Sequence, residues 1–163
     1  MSTSTEIDRG IVENHQADLR SVLVGVDGSD GSRRALEWAA RFASQTGADV
    51  LAVHVLTYDR ELVRDLTLDT MRTWRLELEQ SLRTEWIGPL TGHALAYRCI
   101  LVESDSPATG LLDAADREHA DLLVVGAKGR GSLADRVLGS VSYRVTHRAH
   151  QPVVVVPADW EPR

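Results

Sequence analysis

The chain has 163 residues with 24 acidic and 18 basic side chains, a formal net charge of −6 at pH 7. That balance argues against broad electrostatic binding to DNA or to anionic membranes, which needs clustered positive charge. With 43% hydrophobic and 26% charged residues the composition is that of one folded domain large enough to bury a core, and no apolar run approaches the roughly 18 residues of a membrane span.

Residues 1–18 are polar and mixed in charge. They lack both the apolar stretch of a secretory signal and the Arg-rich pattern of a transit peptide, so a flexible tail, a domain over residues 19–158 and a cytoplasmic location are expected. Ser21 to Val26 is a β-branched apolar run that reads as the first strand, and Asp27 to Ser32 follow as turn residues and helix-cap candidates. Ala35, Leu36, Ala39, Ala40 and Ala43 repeat at helical spacing, which predicts a helix over Arg33 to Ser44 stopped by Gly47. Asp49 to Leu56 returns to strand residues and completes a β-α-β unit, so the sheet begins parallel. Between Glu61 and Ile87, apolar residues at helical spacing, Trp74 and Trp86 among them, predict a long amphipathic helix lying on the sheet and ended by Gly88-Pro89. Aromatics at that spacing read as core rather than as stacking partners for a cofactor.

Ala94 to Val102 reads as a third strand, with Arg98 pointing to an edge position or a chain-end location. Its Cys99, the only cysteine, has no internal disulfide partner and reads as a small core residue in a reducing compartment. Ser106-Pro107 opens a helix ending near His119; Leu122 to Val125 is a strand buried on both faces; Ser140 opens the last helix; Val153 to Val156 is a final strand, followed by a loose tail over residues 159–163. The alternation predicts an α/β fold, a doubly wound five-stranded parallel sheet sandwiched by four helices. In such sheets a ligand lies beyond the carboxyl ends of the strands, where Asp27 and Gly126 become neighbours if the first and fourth strands adjoin.

The stretch after the fourth strand carries the chemistry. Gly126, Gly129 and Gly131 permit positive φ and leave no β-carbons in the way, so that backbone N–H groups can converge on a phosphate. Gly139-Ser140 then opens a helix, with Val141 in its first turn, whose free amides and dipole favour an anion. Lys128, Arg130 and Arg136 make the loop locally basic; contact of Lys128 and Arg130 with phosphate and a solvated-loop role both fit. Asp27 has an ordinary turn reading before Gly28 and a site reading from its position facing the loop. The histidines, His54 included, lack metal-ligand spacing and read as structural or surface residues.

These residues resemble the nucleotide-binding branch of the universal stress protein family. Gly126, Gly129, Gly139 and Ser140 meet in full that family's motif of glycine, two residues, glycine, nine residues, then glycine with serine or threonine. VGVDGSDGSRRALEWA and QPVVVVP are also similar to the family's opening and closing segments, so the likeness runs from Ser21 to Pro157. It implies ATP, with Mg²⁺, held by the glycine loop of an adenine nucleotide alpha-hydrolase-like fold. It also implies homodimers paired through the last strands, here Val153 to Val156. Carried onto this chain, Gly126 and Gly129 would flank the ribose and phosphates, Gly139 and Ser140 would hold the outer phosphates, and Val141 would belong to the same nucleotide site. Asp27 would lie near the nucleoside or a phosphate-bound metal, and the backbone at Val53 would meet the adenine.

A nucleotide-dependent regulatory protein acting on an unknown protein partner is the reading this supports. A slow ATP hydrolase or nucleotide-using transferase is the alternative, with phosphate grip but little machinery: there is no GxxxxGK[ST] phosphate loop and no kinase lysine and catalytic-loop set. A nucleotide-free interaction module is the third. A dinucleotide fold would place GxGxxG after the first strand, where VGVDGSDGS does not supply it.

Overall fold

The computed structural model of the chain describes residues 19–58, 66–130 and 138–162. Five strands, β1 (Ser21–Gly25), β2 (Asp49–Leu56), β3 (Tyr97–Glu103), β4 (Leu122–Gly126) and β5 (Val153–Val156), form one sheet in the order β3-β2-β1-β4-β5. Every pairing is parallel. Among the described residues four α-helices accompany it: α1 (Asp30–Thr46), α2 (Leu68–Ser81), α3 (Pro107–Arg117) and α4 (Ser140–Arg148). The chain adopts the expected α/β sandwich.

Side chains of a strand alternate between faces, so neighbours in β1 enter opposite cores. Val22 and Val24 join Val50, Ala52 and Val124 beneath α1, whose Ala35, Leu36, Ala39, Ala40 and Ala43 let the helix approach closely. Leu23 joins Leu51, Val53 and Leu123 on the other face, under Leu111 and Ala115 of α3 and Val145 of α4. Leu23 and Leu123 are fully buried, each contributing about 1.5–3 kcal/mol.

The helix ends differ instructively from their expected positions. α1 begins at Asp30, three residues before Arg33, because the Ser29 hydroxyl accepts from the Ser32 amide at 3.2 Å and caps the helix there. Gly47 ends it at φ 77°, in the left-handed region. Ser106 caps α3 by accepting from the Thr109 amide at 3.2 Å. β3 lies at the sheet edge, the position that Arg98 indicates.

The helix expected over Glu61 to Ile87 is broken. Residues 59–65 lie outside the described residues, α2 covers Leu68–Ser81, a π-helical turn succeeds it at Leu82–Trp86, and then a 3-10 turn at Gly88–Leu90. No residue of α2 is buried, and Leu66 and Trp74 of the expected stripe are 37% and 39% exposed. The stripe therefore does not pack on the sheet along its length: only from the π turn onward do Leu82, Ile87 and Leu90 enter the core. A π turn adds a residue per turn and rotates the next residues about the helix axis, which a 3.6-residue period cannot register. At the other end, Ala158, Asp159, Glu161 and Pro162 are exposed, but Trp160 docks against the α1-side core.

Candidate functional site

β1 lies between β2 and β4, and the chain leaves β1 for α1 on one face of the sheet and β4 for α4 on the other, so the loops after β1 and β4 part above the carboxyl ends of the strands. A cavity of about 360 Å³ opens there. Its polar half is formed by Asp27, Ser29, Lys128, Gly129, Arg130 and the start of α4, and its apolar half by Val53, Leu56, Trp74, Leu78, Pro107 and Leu111.

Asp27 joins the two loops. Its Oδ1 accepts from the amide of Ser29 at 2.9 Å and from the Ser29 hydroxyl, and its Oδ2 accepts from the Arg130 amide at 2.9 Å. Burial works against the carboxylate, but the Ser29 hydroxyl and the Arg130 and Ser29 amides outweigh it and hold the pKa below the usual value. A carboxyl with a depressed folded-state pKa stabilises the fold above its unfolded-state value, and that contribution disappears as pH falls through the folded value. Urea unfolding is therefore expected to lose stability on going from pH 5 to pH 3, and Asp27→Asn to flatten that decline. An identical slope in the variant would show that Asp27 is not a source of the pH dependence.

Of the two uses expected of the glycines, the structure shows one. Gly126 and Gly129 do not take positive φ; among the described residues the glycines that do are Gly28 and Gly47. Their contribution is space. A Cβ on Gly126 would stand 2.5 Å from the Gly31 carbonyl oxygen, one on Gly31 1.8 Å from the Lys128 carbonyl oxygen, and one on Gly129 2.7 Å from Asp27 Oδ2. The segments after β1 and after β4 thus touch where side chains would separate them. Gly131, Ser132 and Arg136 lie outside the described residues.

At the start of α4 the Gly139 amide donates to the Ala127 carbonyl at 2.7 Å, and the Ser142 hydroxyl donates to the same carbonyl at 2.8 Å. These bonds fix the helix against the glycine loop. Gly139 is the N-cap and offers no side-chain acceptor, so the amides of Ser140 and Val141, both lining the cavity, have no partner within the helix. Such an end attracts an anion.

Three residues in or beside the cavity carry more than their sequence pattern implies, which is core for the tryptophans and a structural or surface role for the histidine. His54 Nδ1 donates to the Val26 carbonyl at 2.7 Å, and its ring meets Trp86 edge-on with centroids 4.9 Å apart. Burial chiefly lowers its pKa, aided by the Arg130 charge and opposed by the Val26 bond and by Asp27, so the ring is neutral at pH 7. Trp86 is partly buried and carries the Arg130 guanidinium carbon 5.5 Å from its ring centroid. Trp74 is 39% exposed at the cavity rather than core, and meets Tyr58 edge-on. The one signal for His54 in the sequence is its place directly after Val53, near the end of a strand. Trp86 has none, because the π turn sets its direction.

Among the described residues no group of three or more His, Cys, Asp or Glu side chains could hold a metal ion, and no helix is long and apolar enough to cross a membrane.

The chain is similar to a universal stress protein of Thermus aquaticus, at 33% identity over 138 residues covering 85% of this chain and 98% of that one. It is 38% identical over 134 residues to one from Mycobacterium tuberculosis, covering 82% of this chain but only 44% of that longer protein. A solved universal stress protein in complex with cAMP superposes with a TM-score of 0.59 at 26% identity, over 86% of this chain and 98% of that one. With residues 18–157 also matching the profile of the universal stress protein family, the chain belongs to that family.

Proposed function

We propose that this protein binds an adenine nucleotide, ATP with Mg²⁺, as a cytoplasmic regulatory switch that signals to a protein partner. The observation that carries this reading is the uncapped N-terminus of α4 opening into the same cavity as the glycine loop, beside an apolar half of a size to take a nucleobase. The solved relative bound to cAMP supports an adenine nucleotide as the guest. In this assignment the outer phosphates meet the amides of Ser140 and Val141 and the Ser140 hydroxyl. Gly126 and Gly129 keep the loop close to the ribose and inner phosphates, Lys128 and Arg130 add positive charge, and Val53 lies under the base. Asp27, whose oxygens accept from Ser29 and Arg130, would lie near the nucleoside or a phosphate-bound magnesium ion.

Homodimer formation through β5 belongs to the same proposal. Among the described residues β5 pairs only with β4, and its Val153, Val154 and Val155 are partly exposed, an edge that natural proteins cover. Calorimetric titration of MgATP into protein stripped of carried-over nucleotide tests the nucleotide reading. Saturable binding in the micromolar range is expected; no heat at millimolar ATP would leave the interaction-module reading in its place.

A further inference from the structure

We propose that Arg130, set in place by Trp86, Gly28 and Asp27, makes the cavity prefer a nucleoside triphosphate to a cyclic monophosphate. The inference rests on the nucleotide reading of the cavity and concerns which nucleotide it selects.

Arg130 is fixed at both ends. Its backbone amide donates to Asp27 Oδ2 at 2.9 Å, and its guanidinium lies over the Trp86 ring at 5.5 Å. Gly28, at φ 77°, is the floor beneath both side chains. A Cβ there would stand 2.7 Å from the Trp86 indole and 2.9 Å from a terminal nitrogen of Arg130. Trp86 is itself held by the π turn, whose Leu82 is fully buried and whose next residue Ile87 is 3% exposed, and by the His54 ring against it.

This arrangement leaves the guanidinium's chemistry unspent. Stacking on an indole uses the face of the guanidinium and leaves its in-plane N–H donors free to meet phosphate oxygens in pairs. Among the described residues no carboxylate forms an ion pair with Arg130. A long side chain immobilised before the ligand arrives loses less rotamer freedom on binding. Arg130 lines the same cavity as Ser140 and Val141, so the site has two separate anion-holding groups, one in the loop after β4 and one at the start of α4. A polyphosphate chain can engage both and carries several negative charges. A cyclic monophosphate has one charge and a single phosphorus, so it gains less from the second group.

The test is the ratio of cAMP to ATP dissociation constants, measured by calorimetry for the wild type, Arg130→Gln, Trp86→Phe and Trp86→Leu. Arg130 is exposed, so Arg130→Gln should leave the fold intact while weakening ATP about tenfold and cAMP less than about twofold. Trp86→Phe keeps an aromatic face of weaker attraction and should lose about threefold of the preference, and Trp86→Leu as much as Arg130→Gln. A ratio unchanged in Arg130→Gln would overturn the selectivity. Trp86→Phe and Trp86→Leu that fold and keep the wild-type ratio would overturn the positioning role. Wild-type protein that binds neither nucleotide would overturn the nucleotide reading itself, a result distinct from both.

Discussion

Gly31→Ala is expected to lower the unfolding free energy by about 3 kcal/mol, at the upper end of ordinary overpacking. The new methyl group would sit 1.8 Å from the Lys128 carbonyl oxygen, a backbone atom with no rotamer to move. Relief requires either α1 or the loop after β4 to shift, and the loop is held by Arg130 on Asp27 and by Gly139 on Ala127. Helix propensity pulls the other way, since alanine within a helix is favoured over glycine by about 1 kcal/mol. The sign of the result therefore decides between them. Gly88→Ala is the control, because a Cβ there meets nothing within 4 Å, and its effect should stay within about 0.5 kcal/mol. Urea unfolding monitored by circular dichroism measures both. Equal stabilities for the two variants would mean that the close approach of α1 to the glycine loop has no energetic consequence.

Ser140→Asp should weaken ATP binding by about 100-fold, close to 2.7 kcal/mol, without destabilising the protein. Ser140 is exposed at the first position of α4, where a carboxylate complements the helix dipole by about 0.3–1 kcal/mol. The same carboxylate occupies the place proposed for a phosphate and repels one that approaches. Ser140→Ala removes only the hydroxyl and leaves the amides of Ser140 and Val141, so its loss should be about tenfold or less. Titration and thermal melting, run together, separate the two effects. Wild-type affinity in Ser140→Asp would place the phosphates away from α4.

Features local in the sequence are the legible ones. The alternation of apolar runs with alanine-rich helical periods specifies the parallel sheet. Gly139-Ser140 announces the start of α4, and Arg98 announces an edge. The need for glycines without β-carbons is legible, but not what they approach: Gly31, Gly126 and Lys128 meet only after the sheet brings β1 and β4 together, and the positive φ expected of Gly126 and Gly129 is not used. Asp27 is visible as a candidate, but its bond to the Arg130 amide joins two loops far apart in the chain. Trp86 and His54 are hidden for a related reason. The π turn breaks the helical period that would have set the direction of Trp86, and His54 acquires its environment from Trp86 and Val26.

The most direct test of the central claim is to track the backbone amide resonances of the isotope-labelled protein during addition of MgATP. The proposed site predicts the largest shifts at Gly129, Arg130, Ser140 and Val141, with smaller ones at Val53 and its neighbours in β2. Saturating shifts confined to other surfaces, or none at millimolar nucleotide, would contradict it.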